Sequence, residues 1–340
     1  MIIVVKPKTS KEELTKLIDN IKEVGLNPVE FEGEERTVIH VLGEVRNDTE
    51  AHFKSIRCVE KVVRIVRPYK LASREHHSHT TIVKVGDVSI GNSDFIVIAG
   101  PCSVESESQI MEAAEMLKKL GVKIMRASAF KPRTSPYDFQ GLGIEGLKLL
   151  KKVRAKTGLL VETEVMDVRD VPIAAEYVDL LRVGARNMQN YDLLKELGKV
   201  KKPVILKRGI SATINEFIMA AEYLLYHGNK NVIFCERGIR TFENSYRNTL
   251  DLGAVALLKK LTHLPVIVDP SHAAGNRELI PPLSRAAVAA GADGLLVEAH
   301  PNPEKALSDA AQSLYPEQLD ELLKGLKPVC EAVGKKLLLH

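Results

Sequence analysis

The chain has 340 residues, 45% of them hydrophobic and 27% charged, with a net charge of +4. That size suits one large domain with a smaller one, the balance excludes a disordered chain, and no run of like charge offers a nucleic-acid tail. No apolar run approaches the roughly 18–20 residues of a membrane span.

MIIVVKPKTSKEEL turns polar after five residues and does not read as a signal peptide. Cys58, Cys102, Cys235 and Cys330 lie far apart without a CxxC pair. That spacing argues against a disulfide framework and for a reducing, cytoplasmic setting.

In chain order, residues 2–6 (IIVVK) read as a strand. TSKEELTKLIDNIKEVG (9–25) reads as a helix that opens on a Ser-x-x-Glu pair and closes at Gly25. NPVEFEG (27–33) and RTVIHVLGE (36–44) read as strands, NDTEAHFKSIRCVEKV (47–62) as a helix and VVRIVRP (62–68) as a strand. The order βαββαβ predicts a ferredoxin-like domain over 1–68. A unit of about 65 residues is marginal alone and leans on a partner or on the main domain. A linker follows at 69–80, whose His76, His77 and His79 show no metal-ligand pattern and read as solvated. TIVKVGDVSIGNSDF (81–95) alternates around a Gly-Asp pair and predicts a short hairpin.

Within a catalytic domain expected over 81–340, which the hairpin opens, a unit repeats from residue 95. FIVIAG, VKIMRA, LLVETE, DLLRVG, PVILKR, NVIFCE, PVIVDP and GLLVEA are strand-sized apolar runs, separated by helical patterns such as SESQIMEAAEMLKKLG and INEFIMAAEYLLYHG. Eight such units in about 240 residues predict a (β/α)8 TIM barrel, an α/β fold. A doubly wound open sheet is the alternative, disfavoured by the absence of a GxGxxG turn.

Barrel active sites gather at the C-terminal ends of the strands. Those positions carry Cys102, Arg126, Glu162 and Glu164, Arg186, Lys207, Glu236 with Arg237, Asp269 with His272, and Glu298 with His300. Arg126, Lys131, Arg133, Arg186, Lys207 and Arg237 would repel one another in one mouth unless anions occupy it, or unless Glu162, Glu164 and Glu236 neutralise them. Cys102, His272, Glu298 and Asp309 supply a mixed sulfur, nitrogen and oxygen donor set for one divalent ion, for which manganese, iron, cobalt, zinc and cadmium all qualify.

AGPCSVES (99–106), FKPRTSPYDFQGLG (130–143), VGARN (183–187), ILKRG (205–209), CERGIRTFE (235–243), VDPSH (268–272), VEAHPNPEKALSD (297–309) and QSL (312–314) together resemble 3-deoxy-D-arabino-heptulosonate-7-phosphate (DAHP) synthases of the type Iβ branch. The N-terminal segment resembles the regulatory domain of some members. The resemblance implies a metal on Cys102, His272, Glu298 and Asp309. It implies phosphoenolpyruvate on Arg126, Lys131, Arg186, Lys207 and Arg237, with Asp269 nearby, and erythrose 4-phosphate on Arg133, Thr134 and Ser135.

By the same resemblance, Lys131 is the candidate proton donor to the aldehyde oxygen, and Glu164 or a water held by the metal is the candidate for activating the attacking water. The family further implies a homotetramer and inhibition by an aromatic amino acid, tyrosine or phenylalanine, at the N-terminal domain, with no nucleic-acid or membrane partner. The related 3-deoxy-D-manno-octulosonate-8-phosphate synthases are the alternative, disfavoured by the intact KPRTS and by Cys102. Outside this family, a Schiff-base aldolase on Lys207 and a non-catalytic sensor remain as other readings. Two departures stand out: Ala310, where related chains often carry glycine, and Asn276, where a basic residue is common. If a positive φ is needed at 310, alanine there costs roughly 1 kcal/mol.

Overall fold

Strand-sized runs and amphipathic helices assemble into two compact units, Met1–His76 and His77–His340. The computed structural model describes residues 1–32, 37–43, 47–63 and 68–339. In the first unit, β1 (Ile2–Val5), α1 (Lys11–Glu23), β2 (Asn27–Glu32), β3 (Thr37–Leu42), α2 (Asn47–Lys54) and β4 (Val59–Val63) follow one another. The strands pair antiparallel in the order β2-β3-β1-β4, the ferredoxin-like arrangement.

Helix α1 starts where expected. The Ser10 hydroxyl accepts the Glu13 N–H at 3.2 Å, and the Glu13 carboxylate accepts the Ser10 N–H at 3.2 Å. Its stripe of Leu14, Leu17, Ile18 and Ile21 packs with Ile3, Val5, Ile39, Val41 and Phe53. The helix expected over 47–62 stops at Lys54, because Val59 and Val62 are buried and pair with β1. The last expected strand therefore begins at Val59 rather than at Val62. Its continuation over 64–67 lies outside the described residues, as do 33–36 and 44–46 at the ends of the two preceding strand expectations.

The segment after position 68 is more buried than a solvated linker. Tyr69, Ala72 and Ser73 are buried, and His76 Nδ1 lies 2.9 Å from His40 Nε2. In the second unit His77 stacks on His263, while His79 is exposed.

The second unit opens with an antiparallel hairpin, β5 (Val83–Val85) and β6 (Val88–Ile90). The eight expected runs then form β7 (Asp94–Gly100), β8 (Ile124–Arg126), β9 (Leu160–Val165), β10 (Leu180–Val183), β11 (Val204–Lys207), β12 (Val232–Glu236), β13 (Val266–Val268) and β14 (Gly294–Glu298). All neighbours are parallel, and β14 pairs with β7 from Gly294↔Ile96 to Glu298↔Gly100, which closes the barrel and excludes the open sheet.

Parallel neighbours need long crossovers. Helices α3 (Glu107–Lys119), α4 (Ile144–Thr157), α5 (Asp170–Tyr177), α6 (Tyr191–Lys199), α7 (Ile214–Tyr226) and α8 (Leu252–Leu261) provide them, and short α9 (Pro270–Ala274) precedes α10 (Ile280–Ala289). Helix α11 (Pro316–Ala332) leads to β15 (Lys336–Leu338), a strand not expected from the sequence, which pairs in parallel with the start of β7. No described helix is long and apolar enough to cross a membrane.

The barrel interior is divided by chemistry. Val83, Val85, Val88 and Ile90 of the hairpin pack with Ile98, Ile124, Leu180, Ile205, Ile233 and Ile267 from the early parts of the strands. The late positions are charged and buried: Arg126, Glu162, Glu164, Arg182, Lys207, Glu236 and Glu298. The hairpin thus seals the apolar end and leaves the charged end as the mouth. Ile90 has no exposed surface, so Ile90→Ala should lower stability by about 2–5 kcal/mol through lost burial and a residual cavity. Urea unfolding measures this, and a loss below about 1 kcal/mol would show that the hairpin is not part of the barrel core.

Candidate functional site

The last residue of β7 is Gly100, at φ 149°, and a Cβ there would run into the Arg126 carbonyl oxygen. Glycine lets the chain cross β8 closely and delivers Cys102 into the mouth. Arg126, at the end of β8, donates from Nη1 to Glu298 Oε1 at 2.6 Å and from Nη2 to the Cys102 carbonyl at 3.3 Å. The other Glu298 oxygen accepts from Gln312 Nε2 at 2.6 Å.

His272 is positioned by Asp269, the cap of α9. One Asp269 oxygen accepts the His272 N–H at 2.8 Å, and the other lies 2.7 Å from Nδ1. This arrangement turns Nε2 toward Glu298 Oε1 at 3.4 Å and Asp309 Oδ2 at 3.8 Å. A carboxylate behind a ligand histidine fixes its tautomer in the same way.

Cys102 Sγ lies 3.1 Å from Asp309 Oδ2 and accepts a hydrogen bond from Lys131 Nζ at 2.8 Å. Donor atoms of Cys102, Glu298 and Asp309 all lie within 4.8 Å of one another. Burial, and after it the Glu298 carboxylate, push the Cys102 thiol up to about 12. Burial also lowers His272 to about 4 against the opposing pull of Asp269, so its imidazole is neutral near pH 7.

Burial works against charge on Asp309 and Glu298, yet neighbouring His272 together with Lys131 or Arg126 holds both below the usual carboxylate range. Two ionised carboxylates, a thiol and a neutral imidazole converging in a buried space fit a divalent cation of intermediate softness, whose charge would deprotonate the thiol.

Asp309 itself has a left-handed backbone at φ 52°. The strain considered for position 310 therefore falls one residue earlier, on a residue type that tolerates it. Ala310 begins a 3-10 turn, and Arg277 Nη2 donates to its carbonyl at 2.7 Å. Ser103 and Ser308 hydroxyls at 3.0 Å, and Glu105 accepting the Leu307 N–H at 3.0 Å, hold the same loop. Asn276 caps a 3-10 turn by accepting the Glu278 N–H at 3.0 Å.

Beside this cluster is a cavity of about 410 Å³. Lys131, Arg133 and Thr134 form one side of it, and Glu164, Arg186, Lys207, Arg237 and His272 also line it. Ser135 does not; its hydroxyl accepts the Tyr137 N–H at 3.2 Å. Cys102, Arg126, Asp269 and Glu298 are buried behind the lining side chains.

The cations differ in how they are neutralised. Lys207 pairs closely with Asp269, and Arg133 with Asp138 at 3.4 Å. Arg237, 5% exposed, makes no ion pair among the described residues, and neither does Arg186. Burial lowers the pKa of both Lys207 and Arg237.

Four cations that the strand-end reading passed over belong here. Arg182 of β10 meets Glu162 and Glu164, while Arg208 binds Glu236 at 2.9 Å and Asp251 at 2.8 Å. Arg240 and Arg247 line the cavity from the segment after β12. A signal for Arg182 was present: Glu162 and Glu164 share one face of β9 and demand a cation from the neighbouring strand, where LLRVG offers only Arg182.

Comparison with known proteins places this geometry. A profile described as the DAHP synthetase I family matches residues 70–334, and one described as the DAHP synthase ferredoxin-like domain matches 1–67. The phospho-2-dehydro-3-deoxyheptonate aldolase of Thermotoga maritima is 50% identical over 99% of this chain and 100% of its own. The crystal structure of that Thermotoga maritima protein, also described as DAHP synthase, superposes with a TM-score of 0.79, covering 99% of this chain and 98% of the other.

A truncated form of 3-deoxy-D-arabino-heptulosonate 7-phosphate synthase from the same organism is 49% identical, covers 79% of this chain and 99% of its own, and gives 0.74. The 2-dehydro-3-deoxyphosphooctonate aldolase of Acidithiobacillus ferrooxidans is more distant, 34% identical over 70% of this chain and 90% of its own. With the profile spanning 70–334 and 50% identity from end to end, the chain belongs to the DAHP synthetase I family.

Proposed function

We propose that this protein condenses phosphoenolpyruvate with D-erythrose 4-phosphate to give DAHP and inorganic phosphate, the first step of the shikimate pathway toward chorismate and the aromatic amino acids. The observation that carries the reading is Arg237, a buried cation with no ion pair among the described residues, in the wall of a cavity that adjoins the Cys102, His272, Glu298 and Asp309 donors. A buried guanidinium left unneutralised is costly unless an anion binds it.

Phosphoenolpyruvate brings a carboxylate and a phosphate, which Arg186, Lys207, Arg237 and Lys131 offset, with Arg126 behind them. The aldose phosphate meets Arg133 and Thr134, with Ser135 holding the turn. Assembling both in one cationic cavity removes the repulsion between two polyanions and converts their encounter into a step within one complex.

A divalent ion held by Cys102, His272, Glu298 and Asp309, of the manganese, iron, cobalt, zinc or cadmium type, supplies Lewis acidity toward the aldehyde oxygen. C3 of phosphoenolpyruvate bonds to the aldehyde carbon, and Lys131 delivers a proton to the aldehyde oxygen. Water adds to C2 beside Glu164, and the C2–O bond to phosphate breaks to leave the ketone. The N-terminal unit binds tyrosine or phenylalanine as a feedback inhibitor, in a cytoplasmic homotetramer.

Turnover is tested with phosphoenolpyruvate, erythrose 4-phosphate and each divalent ion, following phosphate release. No turnover with any ion overturns the reading. So does preference for a five-carbon aldose phosphate, the partner that an eight-carbon product requires. Arg237→Ala should raise the KM for phosphoenolpyruvate by about 10- to 100-fold, as for loss of a charged hydrogen bond. Cys102→Ser should weaken metal binding by more than about 100-fold, read by metal analysis after dialysis; an unchanged metal content contradicts the ligand assignment. Inhibition by the aromatic amino acids should disappear in a chain starting at Thr80, and its persistence would remove the sensor role from the N-terminal unit.

A further inference from the structure

Arg182 has no role in the condensation as written, yet it is held more fully than a filler cation requires. It is 2% exposed, and each nitrogen of its guanidinium is engaged. Nε donates to Glu162 Oε1 at 2.6 Å, Nη1 to Glu164 Oε2 at 2.9 Å and Nη2 to Ser128 Oγ at 2.7 Å. A guanidinium tied in this way can grip a substrate anion only by releasing a carboxylate.

Glu164 is the partner that faces the cavity. It is 4% exposed, and Arg182 clamps Oε2. The other oxygen, Oε1, lies against Gly184, where any side chain would collide with it. Both residues line the cavity. The charged groups that act most strongly on Glu164 are Arg182 of β10, Lys131 of the segment after β8, Lys207 of β11 and Arg126 of β8, all cations, while Glu162 on the same face of β9 shares the Arg182 guanidinium. Burial alone would raise the Glu164 carboxyl, but these neighbours, Arg182 foremost, hold it below the usual range.

Resting on the condensation proposed above, we propose that Arg182 is a positioning residue that aims Glu164 into the cavity and holds it ionised toward the water that adds at C2 of phosphoenolpyruvate. The water oxygen forms the new bond to C2 and its proton passes to Glu164. As the C2–O bond to phosphate breaks, that proton leaves with the phosphate and the remaining hydroxyl proton is released, giving the ketone. Glu162 and Ser128 act as the fixed side of the clamp, so the guanidinium cannot follow Glu164 if the carboxylate swings away.

The test uses the metal-loaded full chain and compares wild type with Arg182→Gln, Arg182→Lys and Glu164→Gln, measuring kcat and both KM values across acid and neutral pH. Removing the Arg182 charge lets Glu164 take a proton at higher pH, so the acid limb of kcat in Arg182→Gln should move up by about one to two pH units. Both KM values should stay within about threefold of wild type. Arg182→Lys should move the limb less, and Glu164→Gln should lack it and turn over slowly throughout.

An acid limb that stays in place in Arg182→Gln overturns the proposal. So does a KM for phosphoenolpyruvate raised more than about tenfold with kcat intact, because Arg182 would then be a substrate cation. Should Arg182→Gln fail to fold by circular dichroism, Arg182→Lys and Ser128→Ala, which loosens the same guanidinium, carry the test under the same criteria. Wild-type turnover separates the two claims: its absence overturns the reaction, whereas turnover with an unmoved limb overturns only the role of Arg182.

Discussion

Removing an arginine from water costs several kcal/mol unless carboxylates surround it, and Arg126 and Arg182 are the most deeply buried arginines among the described residues. Their carboxylates come from other strands of the barrel, so charges alternate across the mouth. Glu298 of β14 meets Arg126 of β8, Glu162 is paired to Arg126 across the β8–β9 register, and Arg182 of β10 joins Glu162 to Glu164. The orphan atoms of the array, Arg126 Nε and Glu162 Oε2, also belong to oppositely charged neighbours. Breaking one member would leave a charge stranded in low dielectric, a loss of about 3–5 kcal/mol for a buried pair. The array therefore fixes side-chain directions as well as charge, and both Glu298, beside Cys102 and Asp309, and Glu164 at the cavity take their orientation from it.

This rigidity rests on the other half of the interior. Apolar side chains fill the early strand positions and the hairpin closes over them, so water is excluded from beneath the charged layer. A buried ion pair weakens when water reaches it, because the effective dielectric rises. The strained Asp309 depends on the same support. A left-handed backbone persists only where its surroundings over-determine it, and the Ser103–Ser308, Glu105–Leu307 and Arg277–Ala310 hydrogen bonds do so here.

The architecture was legible because the barrel strands are short apolar runs that, after the first, end on or near a charged residue, a pattern that survives without knowledge of neighbours. Individual pairings were not. Glu162 and Glu164 were weighed against the strand-end cations, whereas their partner is Arg182, embedded within its run. Only the β9–β10 register, Glu164↔Arg182, brings them together, and register is a property of the closed sheet. The end of α2 at Lys54 was missed for a similar reason: NDTEAHFKSIRCVEKV has helical spacing, but pairing of Val59 and Val62 with β1 overrides it. The positive φ of Asp309 has no residue signature of its own, since the loop is held by groups distant in sequence.

The distribution of partners sorts the cations by task. Arg126, Arg182 and Arg208 are matched to carboxylates and hold the frame, and Lys207 shares its charge with Asp269. Arg237 and Arg186 keep theirs, with no ion pair among the described residues, and both face the cavity. A mouth built only of matched pairs would have little reason to bind an anion, because each new contact would be made at the expense of an existing one. A mouth built only of free cations would repel itself and drive its strands apart. Placing matched pairs behind unmatched cations avoids both outcomes, and it leaves positive charge where a carboxylate and phosphates would be received.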